Sequence, residues 1–429
     1  MKMDNKGNNG MSANNGELGV ISVIGLGYIG LPTAAMFASA GHSVIGIDVS
    51  QRAVDAVNAG SPHIEETGLS ELVHRCVTSG RLRATGVPEA ADSFIIAVPT
   101  PVDHDSHVPD TSYVEAAARS IGPVLKKGDL IVLESTSPVG TTRLVAQLLA
   151  EMRPDLSFPL DGQASPDVHL AYCPERIIPG RMLVELVEND RIIGGMTAAC
   201  TKKATTLYSS FVKGDCLPSD DRTAELCKLT ENSFRDVNIA FANELSMICG
   251  RLGLDVWKVI QLANHHPRVN ILNPGPGVGG HCIAVDPWFI VAGAPEQSRI
   301  IRTAREVNDA KPAYVVQQVV EAMQDRPGGR IVCLGLTYKA DVDDFRESPA
   351  LTIARDLSER FPGQVIGVDP YIDALAHSGE PVGDLILGKV DDALTGADLA
   401  VMLVPHTTFR GLRPGKNAIT IDPVGFWRA

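Results

Sequence analysis

The chain has 429 residues, 44% of them apolar and 21% charged, with a formal net charge of −13. That length exceeds one ordinary domain, so two or three are expected, and the acidic balance argues against a large nucleic-acid surface while leaving room for a local basic pocket for a phosphorylated ligand. No apolar run approaches the roughly 18 to 20 residues needed to span a bilayer, and the N-terminus has no signal-peptide core, so a cytoplasmic protein without a membrane partner is expected.

Residues 1 to 18 are rich in Asn and Gly and read as a disordered leader. The eight cysteines are scattered singly and none forms Cys-x-x-Cys, so neither a disulfide framework nor a zinc site is signalled, and no metal is expected. From Gly19 to Ser50 the chain reads strand, glycine turn, helix, strand. Gly25, Gly27 and Gly30, with Tyr28 and Ile29 among them, match G-x-G-x-x-G: a tight turn, close backbone approach to a pyrophosphate, and close helix packing. Asp48 ends the next strand, where a carboxylate accepts from both ribose hydroxyls and repels a 2′-phosphate, which favours NAD over NADP.

ADSFIIAVPTP and LIVLESTSPVGTT each run from an apolar strand into a Pro- and Thr-rich loop. In a doubly wound sheet such loops meet ligands, making Val98, Pro99, Thr100, Ser135 and Thr136 candidates to line the cofactor. In AYCPERIIPG, Glu175 follows a strand, where a carboxylate can position water or act as a base. Residues 220 to 254 carry apolar residues at helical spacing, with Ser219 or Asp220 as N-cap, and predict one long helix able to join two sheets and to face a second copy of the chain. Lys228 and Asn232, four apart, share a face of it and are suitable donors to a forming oxyanion.

GVGGHCIAVDP places Cys282 after a glycine-rich stretch and four residues before Asp286. A thiol at the end of backbone that a ligand can approach is a candidate nucleophile, with His281 and Lys228 as possible cationic neighbours. A second αβ half begins near Arg330: VIGVDP echoes VIGIDV, and ADLAVMLVPH echoes ADSFIIAVPT. It lacks G-x-G-x-x-G and is assigned to another ligand. The expected fold is α/β, two Rossmann-like doubly wound domains joined by a long central helix, with boundaries at 19–215, 216–325 and 326–429. Taken singly, these residues also fit plainer readings: turn chemistry for the prolines and threonines, a solvated surface for Lys228, Asn232 and Glu175.

Together, GLGYIGLP, AVPTP, ESTSPVGTT, CPER, KLTEN, NPGPGVGGHC and FRES, in this order, resemble the UDP-glucose/GDP-mannose dehydrogenase family over nearly the whole chain after residue 18. The resemblance implies an NAD-dependent 6-dehydrogenase that takes a nucleotide sugar from primary alcohol to carboxylate, with Cys282 forming a thiohemiacetal and then a thioester. It implies oxyanion stabilisation by Lys228 and Asn232, proton transfer or positioning by Asp286, and placement of the hydrolytic water by Glu175 and Thr136. Arg268 would reach the nucleotide sugar, in some members from the neighbouring subunit, which fits a homo-oligomer with a dimer first in line. Arg346 would lie near the cofactor and substrate phosphates, the loop from Asn273 to Gly280, including Gly279, would pass over the sugar, and Arg176 and Lys339 complete the substrate-binding set. In one place the sequence departs from the UDP-glucose enzymes, which usually carry lysine where Val285 stands; an N-acetylated sugar is therefore expected over glucose. A two-electron hydroxyacid-type dehydrogenase would have no use for Cys282, and a sensor with lost catalysis would not need Cys282, Lys228, Asn232 and Asp286 together.

Overall fold

The computed structural model describes residues 19–428 apart from Glu65, His104, Asp105, Ile178, Pro179, His281, Asp391 and Asp392. The leader expected over residues 1–18 and the His281 neighbour expected for Cys282 lie outside the described residues. Two compact units divide the chain: the first runs to Thr100 and from Asp110 to Lys228, the second comprises Pro101–Pro109 and Leu229 onward. Among the described residues no helix is long and apolar enough to cross a membrane.

The first unit is built on eight strands, β1 (Val20–Ile24), β2 (Ser43–Ile47), β3 (Leu82–Thr85), β4 (Ser93–Ile96), β5 (Leu130–Leu133), β6 (His169–Tyr172), β7 (Arg191–Gly195) and β8 (Cys216–Asp220), in the order β3-β2-β1-β4-β5-β6-β7-β8. All neighbours are parallel except β6 and β7. Parallel strands covered on both faces must be apolar on both, and the central strands β4 and β5 are: Ile95 and Val132 face one buried cluster, Phe94, Ile96, Ile131 and Leu133 the other. The strand order reverses between β1 and β4, the switch point at which such sheets bind ligands.

Strand β8 contains Pro218, a residue that ordinarily argues against a strand. It is the edge strand, where a missing N–H is tolerated, and its pairing of Ser219 with Gly194 and Asp220 with Gly195 takes in the expected cap region. Asp220 still caps: its carboxylate accepts from Thr223 N–H at 3.0 Å. The long helix follows as Asp221–Leu252, 32 residues against the predicted 220 to 254.

Within the second unit, helices Val256–Ala263, Asp286–Gly293 and Arg299–Met323 precede a five-stranded parallel sheet of β9 (Ile331–Leu334), β10 (Val365–Val368), β11 (Ile386–Gly388), β12 (Leu399–Met402) and β13 (Ile419–Ile421), ordered β11-β10-β9-β12-β13. This repeats the β3-β2-β1-β4-β5 order, so the chain contains two Rossmann-like sheets with a long helix in the chain between them. The strap Pro101–Pro109, which leaves β4, also belongs to this unit; its His107 ring stacks on Trp288, centroids 3.8 Å apart and planes 1° from parallel.

Candidate active site

At the switch point of the first sheet the three glycines meet three different demands. Gly25 has φ +93°, and a Cβ there would lie 2.5 Å from the Ala97 carbonyl oxygen. A Cβ on Gly30 would lie 1.8 Å from the Gly25 oxygen, so the helix Gly30–Ser39 can start where it does only with glycine. A Cβ on Gly27 would meet nothing within 4 Å, so the protein's own packing does not require glycine there. Exposed Tyr28 and half-buried Ile29 lie between them.

The Asp48 carboxylate accepts from Leu26 N–H at 2.9 Å and Ser50 N–H at 2.8 Å, which fixes it at the end of β2 with lone pairs left for a diol. These residues fit a dinucleotide. Of the loop candidates, Val98, Pro99, Thr100 and Thr136 are half-buried or exposed. Buried Ser135 instead staples two loops, its Oγ accepting from Val98 N–H at 2.9 Å and donating to Val98 O at 2.7 Å.

Glu175 is 8% exposed; Oε1 accepts from Arg176 N–H and Oε2 from the Arg191 guanidinium, both at 2.7 Å. The Arg176 guanidinium reaches the Asp190 carbonyl oxygen. Thr136, Glu175 and the buried Lys228 fall in the first unit; Asn232, Cys282 and Asp286 fall in the second. Lys228 and Asn232 are one helical turn apart on Asp221–Leu252, as their spacing predicts.

In the second unit Asn232 Nδ2 donates to Asp286 Oδ2 at 2.5 Å, and Asp286 is 2% exposed. Cys282 is exposed, and its carbonyl accepts from Val285 N–H at 3.1 Å and Asp286 N–H at 2.8 Å. The thiol therefore sits on a tight turn whose last residue opens the helix Asp286–Gly293. Five of the other cysteines are buried, in keeping with small apolar core residues.

The glycine stretch before Cys282 is bare for a reason the sequence reading did not contain. Cβ atoms on Gly277, Gly279 and Gly280 would lie 2.9 Å from Pro349 Cβ, 2.3 Å from the Glu347 carbonyl oxygen and 2.9 Å from Tyr338 Cε2. This loop is pressed onto the protein on that side. Its start is held by Asn243, which accepts from Gly275 N–H at 2.9 Å and donates to Asn308 Oδ1 at 2.8 Å; Asn308 and Arg305 in turn donate to the buried Asp236 at 2.8 and 2.7 Å.

At the switch point of the second sheet a cavity is lined by Gly277, Thr337, Tyr338, Lys339 and Val404, among others. Arg346 is exposed and makes a bidentate pair with Asp344 at 2.9 and 2.7 Å. Arg268 and Asn273 are exposed; the Arg268 N–H donates to His266 Nδ1 at 3.3 Å.

Family models match along the chain: the NAD binding domain of the UDP-glucose/GDP-mannose dehydrogenase family over residues 20–212, its central domain over 222–310 and its UDP binding domain over 332–428. The chain belongs to that family. It is 55% identical to a UDP-N-acetyl-D-mannosamine dehydrogenase of Salmonella typhi, over 95% of this chain and 99% of the relative. It is 56% identical to an NDP-N-acetyl-D-galactosaminuronic acid dehydrogenase of Ralstonia nicotianae, over 95% and 96%. The structure is similar to that of a UDP-D-ManNAc dehydrogenase from Pyrococcus horikoshii, with TM-score 0.84, 37% identity and coverage of 95% and 96%. As a member of the UDP-glucose/GDP-mannose dehydrogenase family the protein is an NAD-dependent nucleotide-sugar dehydrogenase, with NAD on the first sheet and a UDP-sugar as substrate.

Two parts of the site were not read from the sequence. Glu134 and Arg191 lie buried behind Glu175, and Glu225 accepts from Gly140 N–H at 2.6 Å and Thr142 N–H at 2.8 Å, fixing the start of the helix after the Thr136 loop. The one signal for Glu134 was a carboxylate directly ending the apolar run LIVL.

Proposed function

We propose that the protein oxidises UDP-N-acetyl-D-mannosamine at C6 to the uronate, a four-electron reaction carried by Cys282. The observation behind this reading is the Asn232–Asp286 hydrogen bond with an exposed thiol on the turn that leads into Asp286. NAD, when bound, takes up the hydride in each of two oxidations. The chain does the rest. Lys228 and Asn232 stabilise the oxygen as the C6 alcohol loses its proton and becomes a carbonyl. The Cys282 thiolate adds to that carbon, giving a thiohemiacetal whose carbon still carries a hydride to lose; a free aldehyde offers no such adduct. The resulting thioester is attacked by a water held by Glu175 and Thr136, the C–S bond breaks, and Asp286, through Asn232, keeps the oxyanion donors aligned. Arg176, Arg268, Asn273, Gly279, Lys339 and Arg346 hold the nucleotide sugar, with Arg346 exchanging Asp344 for phosphate by the same fork of donors.

Half-buried Val285 beside Cys282, where UDP-glucose enzymes carry lysine, supports an N-acetylated sugar. A second reading, another UDP-N-acetylhexosamine, is favoured by the Ralstonia relative, whose identity is as high as that of the Salmonella one. We read the protein as cytoplasmic, supplying an aminouronic acid for a bacterial surface polysaccharide, and as a homodimer. Phe234, Phe241 and Ile248 recur every seven residues on the long helix at 71%, 55% and 48% exposure, an apolar stripe suited to a second copy. The test is NADH formed per sugar consumed, with UDP-N-acetylmannosamine, UDP-N-acetylglucosamine and UDP-glucose in parallel and Cys282→Ser alongside. Two NADH per UDP-N-acetylmannosamine, lost in the variant, is the expected result. One NADH per sugar with an indifferent variant would sink the thioester route, and turnover of another sugar alone would replace the substrate.

A further inference from the structure

Behind Glu175, inside the first unit, lies a buried charge cluster that the reaction as written does not use. Arg191 is 3% exposed and donates to Glu175 Oε2 at 2.7 Å and to Glu134 Oε1 at 3.3 Å. Its guanidinium carbon lies 5.1 Å from the Tyr208 ring centroid and 5.8 Å from that of Phe211. Glu134, 2% exposed, also accepts from Tyr208 O–H at 3.1 Å, and the buried Thr33 side chain faces it as well. One guanidinium thus serves two buried carboxylates. Burying three formal charges with a net negative excess is costly, and the usual relief is a proton on one acid.

We propose that Arg191 is the positioning residue for Glu175, gripping its carboxylate from the core side, and that Glu134 sets how firmly it does so by competing for the same guanidinium. The groups facing Glu134 are Arg191 on β7, Tyr208 on the helix Ala198–Tyr208, Thr33 on the helix Gly30–Ser39, and Glu175 and Cys173 after β6. Burial lifts the Glu134 carboxyl to about 7 against the pull of Arg191, and burial likewise holds the Cys173 thiol at about 12 and Tyr208 well above its ordinary value. Only Glu134 among these three changes charge near neutrality. Protonated, it leaves Arg191 to Glu175; ionised, it draws the guanidinium toward itself.

The inference rests on Glu175 as the residue that holds the hydrolytic water, so the experiment separates the two. Each variant is mixed with NAD and whichever UDP-sugar the wild type turns over, quenched in acid, and weighed intact for a sugar thioester on Cys282. Glu175→Gln is expected to accumulate the adduct; if it does not, the role of Glu175 falls and its support falls with it. Given that accumulation, Arg191→Lys should accumulate the same adduct with kcat lowered on the order of a hundredfold and KM for the sugar little changed, the cost of misplacing a reacting group by about 1 Å. An Arg191→Lys protein that binds NAD normally and turns over without adduct overturns the proposal.

Glu134→Gln preserves the packing and serves where Arg191→Lys does not fold. Its adduct should decay at the wild-type rate below about pH 6 and several-fold faster than wild type above about pH 8, because the amide cannot compete as a charge. A ratio of rates that is flat across that range overturns the part given to Glu134.

Discussion

The two sheets of this protein carry the same turn and use it differently. In the first, Asp48 ends β2 and accepts from Leu26 and Ser50 N–H; in the second, Asp369 follows β10 and accepts from Leu336 and Tyr371 N–H at 2.7 and 2.8 Å. The likeness extends to Asp92, which accepts from Val20 N–H at 2.9 Å, and Asp398, which accepts from Arg330 N–H at 2.8 Å. What differs is the residue that closes the turn. Fully buried His406 stands where the echo of ADSFIIAVPT has Thr100, and its Nε2 lies 3.1 Å from Asp369 Oδ2 and 3.1 Å from Thr337 Oγ1. Its Nδ1 accepts from Asp341 N–H at 3.0 Å, which assigns the ring proton to Nε2. A carboxylate that could meet a ribose diol in one sheet is bound to a histidine in the other. A shared frame therefore fixes where a ligand can sit without fixing which ligand it is.

The comparison breaks most visibly at its glycines. Gly335 has φ +85°, and a Cβ there would lie 2.4 Å from Val404 Cβ, so Gly335→Ala should destabilise the second unit by about 3 kcal/mol or more, read as a fall in thermal midpoint. Gly27→Ala should leave that midpoint alone and weaken NAD binding at least about tenfold by titration calorimetry, since only a ligand meets its Cβ. Equal loss of stability in both would erase the distinction between a fold glycine and a ligand glycine.

Next in size is the carboxylate pair. Asp369→Ala strands the buried Leu336 and Thr337 N–H groups, the part-buried Tyr371 N–H and buried His406, and should cost about 2 to 3 kcal/mol in denaturant unfolding. Asp48→Ala should cost less stability but raise KM for NAD and narrow the preference over NADP.

The two units also differ in their response to pH. Burial raises Glu134 from 4.5 to about 7, so its protonated form favours the native state: that contribution is complete below about pH 4.5 and is lost as pH rises through about 7. Burial lowers Lys311, in the second unit, from 10.5 to about 8; its penalty is present below about pH 8 and is relieved as pH rises toward 10.5. Glu134→Gln should flatten the acid-side slope of stability and Lys311→Met the alkaline one, each measured by urea midpoints across pH. A slope that survives its own substitution belongs to another group.

Much of this was legible because the chemistry has a short range in sequence. The glycine turn and Asp48 belong to one βαβ unit, Lys228 and Asn232 to one helical turn, and Cys282 and Asp286 to one loop entering a helix. What escaped depends on contacts between distant segments. Glu134 and Arg191 are 57 residues apart and meet across the intervening strand β6, which neither announces. The bareness of Gly279 answers to the Glu347 carbonyl, and β8 exists because the edge of a sheet forgives Pro218. Periodicity reports which face is apolar, but it does not report which distant strand a buried charge will find.

The strap Pro101–Pro109 has a consequence in time as well as in space. It emerges from the ribosome with the first sheet, yet the ring that His107 stacks on, Trp288, is made about 180 residues later, which at 5–20 residues per second is a delay of roughly ten to forty seconds. Until then the loop has only its own pairing, Val102 with Pro109 and Asp103 N–H to the Val108 carbonyl at 3.0 Å. A chain cut after Lys228 would keep that loop without its Trp288 partner, so a fragment bearing the whole NAD fingerprint would carry one piece of the second unit with nothing to stack on.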